Sequence, residues 1–166
     1  MRLLTRTLSL LAIACTTLFF AGCGGDDPGK KPEEIELGKL AKTWSIKTSG
    51  GASLDGVDRT ADFANFKLTL SGTFDKASPD GPYDYDVAGS RPTPSPWPDA
   101  AYGNGGTWTF GGTPSPDNGL IARDDGAAMT YTISGGELTL NFTFNGPTYA
   151  GAKTSQVNGN WIFKFN

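Results

Sequence analysis

The chain has 166 residues, 37% of them hydrophobic, and carries 14 basic against 17 acidic side chains for a formal charge of −3. That length suits one domain with a true core, and the acidic balance argues against binding nucleic acid, which needs a basic face. Histidine is absent, which excludes Ser-His-Asp and Cys-His catalysis and ordinary zinc sites.

The N-terminus opens with two basic residues, Arg2 and Arg6, and continues as a mostly apolar run over residues 8–20. The run has the length of a signal-peptide core and is short for a membrane span. It leads into Leu18, Phe19, Phe20, Ala21, Gly22 and Cys23. This ending resembles the lipobox of bacterial lipoproteins, with Phe20 where an aliphatic residue is more usual. The resemblance implies a signal peptide over residues 1–22, cleavage before Cys23, attachment of diacylglycerol to the Cys23 sulfur and acylation of the new amino group. One acyl chain holds a protein only marginally, whereas two or three anchor it stably. Gly24 stands where inner-membrane lipoproteins carry a retention Asp, and the pair Asp26-Asp27 resembles the surface-export signals of Bacteroidota lipoproteins. The expected location is the outer membrane, facing the periplasm or the exterior. Cleavage would remove Arg2 and Arg6 but no acidic residue, so the mature chain is more acidic than −3. It would also discard Cys15 and leave Cys23 acylated, with no thiol for a disulfide, a nucleophile or a metal cluster.

Residues 23–34, rich in Gly, Asp, Lys and Pro, read as a flexible acylated tether, and residues 35–166 as the folded domain. A short helix is predicted over residues 33–42, where Ile35, Leu37, Leu40 and Ala41 are loosely spaced for one face and Gly38 weakens it. Period-two alternation then takes over. Apolar residues alternate with polar ones at Trp44 and Ile46; at Phe66, Leu68 and Leu70; at Tyr83, Tyr85 and Val87; and at Trp108 and Phe110. A short ambiguous run follows at residues 120–123. The alternation resumes at Met129, Tyr131 and Ile133; at Leu138, Leu140, Phe142 and Phe144; and at Trp161, Phe163 and Phe165. About eight strands result, most with one apolar face.

The turns agree with this reading. Ser134-Gly135-Gly136 joins two strong strands as a hairpin, and Asn118-Gly119 and Asp125-Gly126 are turn dipeptides. Prolines fall in the tether or in loops, as ladder hydrogen bonding requires. The fold class is therefore all-β: an antiparallel up-and-down meander closing into a small barrel, with a short N-terminal helix. One loop stands apart. Residues 89–99 alternate four prolines with other residues and include Pro96-Trp97-Pro98. Such a segment favours extended backbone, and long loops of this kind are often functional.

Three tryptophans follow similar lead-ins: Lys42-Thr43-Trp44, Gly106-Thr107-Trp108 and Gly159-Asn160-Trp161. A short helix leading into a strand-borne Trp and an eight-strand meander resembles the lipocalin-like (calycin) lipoproteins of Bacteroidota, over residues 37–166, with Lys42 where the family has Gly. The resemblance implies non-catalytic binding of a small apolar or mixed ligand. A fold does not transfer a ligand, however.

Several candidate sites follow from the residues themselves. Roughly 20 large side chains point inward, and they either fill the barrel or leave room for one ligand. Trp97, held between prolines, is either a stacking platform for sugar rings with Tyr83, Tyr85 and Tyr102, or a cap folded over one barrel end. Asp80, Asp84 and Asp86 are a weak calcium candidate without the spacing of a calcium loop. A glycosidase needs a facing carboxylate pair, and no predicted strand carries an acid on its apolar face. The expectation is a lipoprotein anchored through Cys23, with no cofactor and no enzymatic activity, binding a small ligand or glycan. The alternative is a structural or accessory lipoprotein that binds another envelope protein.

Overall fold

The structure, a computed structural model, describes residues 29–98, 103–146 and 157–166. The fold is that of the compact unit Lys31–Asn166. It begins with helix α1, Pro32–Leu40. Proline suits the first helical position because its preset φ fits and its missing N–H would have had no partner there. Glu33 and Glu34 in the first turn and Lys39 in the last complement the helix dipole. The helix therefore starts inside the stretch expected to be tether. Leu37 and Leu40 are buried against the core, and the Trp44 indole N–H donates to the Leu40 carbonyl at 2.9 Å. That bond satisfies one of the carbonyls left open at a helix C-terminus.

Ten strands follow: β1 Thr43–Ser45, β2 Ala52–Leu54, β3 Val57–Asp58, β4 Lys67–Ser71, β5 Tyr83–Ala88, β6 Gly105–Phe110, β7 Asn118–Arg123, β8 Ala128–Ser134, β9 Glu137–Phe144 and β10 Gly159–Phe165. Their spatial order is β1-β4-β5-β6-β7-β8-β9-β10-β2-β3, and every pairing is antiparallel. The meander expected from the alternation is present, and the ambiguous run at residues 120–123 is the body of β7. Strands β2 and β3 are additional. They form a hairpin around Asp55-Gly56, and at three and two residues neither is long enough to display a period.

The two flanks of the meander meet. Ser45 and Asn166 exchange backbone hydrogen bonds at 3.0 and 2.9 Å, and the Lys47 N–H donates to the Lys164 carbonyl at 3.0 Å. Strand β1 is thus bonded to β4 on one side and to the end of β10 on the other, which joins the two flanks of the meander and leaves β3 as an edge among the described strands. The chain then leaves the wall for a turn and returns as β2, with Ala52 and Leu54 opposite Phe163 and Trp161. Gly51 makes this detour possible, since a Cβ there would lie 2.2 Å from the Lys47 carbonyl oxygen. At the β8–β9 hairpin, Gly135 and Gly136 have φ of 59° and 83°. Positive φ at both loop positions gives the two-residue turn whose twist matches the strands.

The interior is filled with side chains. Trp44, Trp108, Trp161, Tyr131, Phe63, Phe66, Phe163 and Phe165 are each less than 2% exposed. Phe163 sits at their centre, with ring centroids of Phe63, Trp161 and Trp97 at 5.0, 5.4 and 5.5 Å. Helix α1 covers one barrel end. Phe63, on the single helical turn Thr60–Phe63, and Trp97 cover the other.

Candidate functional site

A recess interrupts the barrel wall. Where β1 turns away from β4 and the chain detours before β2, a cleft of about 610 Å³ opens. Ile46, Ala61 and Ala64 line it on the apolar side, and the fully buried Phe63 and Phe66 lie beneath. Ser45, Lys47, Thr48, Ser49, Asp58, Thr60, Asn65 and Lys67 supply its polar rim. The volume falls in the range of small-molecule sites, with a lining of mixed polar and apolar residues.

Local contacts engage the charged rim groups unequally. Lys47 is ion-paired with Glu137. Asp58 accepts hydrogen bonds from the Thr60 hydroxyl at 2.6 Å and the Thr60 N–H at 2.8 Å. These bonds favour the ionised form and hold the Asp58 carboxyl below its ordinary value. Lys67, at the start of β4, is exposed and has no ion-pair partner among the described residues. None of these rim residues was legible as a site from the sequence. The one available signal was Asp55-Gly56, a turn dipeptide that marks the β2–β3 hairpin.

The aromatic candidates lie elsewhere. Trp97, Tyr83 and Tyr85 are 2%, 3% and 4% exposed. A stacking platform needs an open ring face, and none of the three offers one. Trp97 takes the capping position instead, against Phe66, Phe142 and Phe163. Its indole N–H is buried and without a partner among the described residues. Tyr83 is at the opposite end of β5, 5.0 Å from Trp108, and donates to the Pro79 carbonyl at 2.6 Å. Tyr102 and Cys23 lie outside the described residues. Asp84 and Asp86 point outward from β5, and among the described residues no group of three or more acidic side chains is placed to hold a metal.

Tyr85 and Trp97 are brought together by Arg123, a residue the strand pattern alone did not single out as functional. Arg123 is only 4% exposed, on the inward face of β7 two positions after Ile121. Its guanidinium lies 4.7 Å from the Trp97 ring centroid and 5.7 Å from that of Tyr85. It donates to the Pro96 carbonyl at 3.1 Å and pairs with Asp125 through two nitrogens. Burial pushes the Tyr85 phenol up to about 12, against the opposing pull of Arg123. Burial also raises Asp125, but the Arg123 bonds and charge outweigh it and hold that carboxyl below its ordinary value. Period two places Arg123 on the face of Ile121 once β7 is defined, a signal that the ambiguous run at residues 120–123 concealed in the sequence.

A second buried charge, Glu36 on α1, is 1% exposed and fastens the helix to its barrel end. It accepts from Lys39 at 2.7 Å, the Asp117 N–H at 3.0 Å and the Tyr131 hydroxyl at 3.1 Å. Burial, then the Glu36 charge, drives the Tyr131 phenol far up, so it stays a donor at physiological pH. Among the described residues these networks fasten α1 and Trp97 over the two barrel ends, while the wall cleft is open to solvent.

No family model, curated protein or solved structure matches the chain.

Proposed function

We propose that this protein is an outer-membrane or cell-surface lipoprotein, anchored through acyl chains on Cys23, whose lipocalin-like domain binds a small ligand without catalysis. The wall cleft is the binding site. The observation that carries this reading is the contrast between a barrel packed with aromatic rings and a recess of about 610 Å³ beside it. The ligand class is a small molecule with an apolar portion; a glycan would lack an open aromatic face at Trp97, Tyr83 or Tyr85. Among the described residues no helix is long and apolar enough to cross a membrane.

The accessory-lipoprotein reading draws on a different feature. Among the described strands β3 pairs only with β2, and its Val57 is 65% exposed. A free strand edge with an apolar side chain is a place where another protein can add a strand.

Native mass spectrometry of the full chain, purified from membranes, tests the proposal. The expected spectrum shows a chain that starts at Cys23, carries acyl mass and retains a small-molecule adduct. In Ala64→Trp, which fills the cleft from its exposed side, the acyl mass stays and the adduct disappears. A bare polypeptide mass would refute the anchoring. An adduct that persists in Ala64→Trp would refute the cleft as its site. An acylated chain free of adduct in both proteins would favour the protein-binding reading.

A further inference from the structure

From the charges around the wall cleft we infer that its ligand is an anion borne on an apolar body, such as a carboxylate or phosphate ester attached to a hydrocarbon or ring. The inference rests on the reading of the cleft as a small-molecule site, and it names the chemistry of that molecule. The chain as a whole has a formal charge of −3, yet the residues lining the cleft include two lysines, Lys47 and Lys67, against one carboxylate, Asp58. Once Lys47 is paired with Glu137, the lining carries one cation and one carboxylate, so the group left to meet an anion is Lys67. The three charges are not equally available. Lys47 is occupied by Glu137. Asp58 is engaged by Thr60 through one carboxylate oxygen. Lys67 stands at the rim with no ion pair among the described residues, and the buried floor of Phe66 adjoins it in sequence. The arrangement fits a ligand whose charged group meets Lys67 while its apolar body lies over Ile46, Ala61 and Ala64. The hydroxyls of Ser45 and Ser49 can donate to further oxygens of the anion, whereas that of Thr60 is already given to Asp58.

Amide NMR of the full chain held in phosphatidylcholine nanodiscs, titrated with octanoate, octanol and inorganic phosphate, separates the contributions. Octanoate is expected to shift the amides of residues 46–49 and 61–67 at the lowest concentration, with octanol and phosphate each weaker. Raising the salt concentration should weaken octanoate and leave octanol unchanged. Lys67→Glu should weaken octanoate about tenfold, because it puts a repelling charge where an attracting one stood. Lys76→Glu makes the same change in net charge away from the cleft and should have no such effect.

If octanol matches octanoate and Lys67→Glu leaves both unchanged, the anionic inference is overturned and the cleft reading survives. If phosphate alone shifts these amides as strongly as octanoate, the apolar body is superfluous and the inference falls. If none of the three probes moves them, the cleft reading falls and takes the inference with it.

Discussion

Replacing Phe163 by alanine is expected to cost about 4 kcal/mol of folding stability, within the range for deleting a buried aromatic ring. The residue is fully buried on β10 and its ring meets those of Phe63, Phe66, Trp97, Phe142, Trp161 and Phe165. These neighbours come from the helical turn Thr60–Phe63, the segment leading into β4, the Pro-rich loop, β9 and β10 itself. Elements that converge from so many directions cannot collapse together, so the void persists and the surrounding rings are left facing empty space. A domain of this size has a total stability of about 5–15 kcal/mol. The variant should therefore melt roughly 10–20 °C lower. Chemical denaturation followed by far-UV circular dichroism measures this directly. A loss under about 1.5 kcal/mol, the scale of a tolerated apolar swap, would mean that the barrel axis has room to spare.

Arg123 and Asp125 should respond unequally to mutation. Asp125→Ala removes the only carboxylate paired, among the described residues, with a guanidinium that is 4% exposed. An uncompensated buried charge costs about 3–5 kcal/mol. The Pro96 carbonyl and the Trp97 ring remain on Arg123, which places the expected loss near ~3 kcal/mol, the lower end of that range. Arg123→Met removes the charge itself and keeps an apolar stem in the same space, while the freed Asp125 side chain, 40% exposed, returns to water. No buried charge is left uncompensated because Asp125 can be solvated, so a loss of about 1 kcal/mol is expected, the scale of lost hydrogen bonds. Acid should reveal the same pair. The Asp125 carboxyl is held below its ordinary value, so its contribution is fully present above that ordinary value. It is lost as pH falls through the lowered value in the folded state. The acid limb of the stability curve should accordingly be shallower in Asp125→Ala than in the parent. Equal losses for the two variants would show that the guanidinium is hydrated and that Trp97 does not seal it.

The barrel is legible in the sequence and the cleft is not, for the same reason. Alternation at Phe66, Leu68 and Leu70, or at Leu138, Leu140 and Phe142, reports which face of a strand is buried, and each of these strands is present. Alternation cannot report a two-residue strand such as β3, or a helical turn that drops Phe63 into the core. Both border the cleft. Glycine detours are also silent in a pattern of apolar residues, although Gly51 allows the chain to leave the wall and return. Trp97 is a different case. Its flanking prolines mark a rigid segment, but rigidity is equally suited to a platform and to a cap. The choice depends on Phe66, Phe142 and Phe163, which lie far away in sequence and offer a pocket for the indole. Arg123 and Glu36 carry charge, but their partners Asp125, Pro96, Tyr131 and Asp117 become neighbours only when the barrel closes.

Among the described residues the barrel is packed along its axis and capped at both ends, and the proposed reading therefore places the ligand at the wall. Acrylamide quenching of tryptophan fluorescence tests this most directly. The chain has 4 tryptophans, and Trp44, Trp97, Trp108 and Trp161 are 1%, 2%, 1% and 0% exposed. The expected result is a blue-shifted emission that acrylamide quenches slowly and as one population, with Trp97→Phe leaving the quenching curve unchanged in shape. A readily quenched fraction that disappears in Trp97→Phe would contradict a sealed barrel, because it would mean that the Pro-rich loop stands open and the barrel end beneath it is accessible.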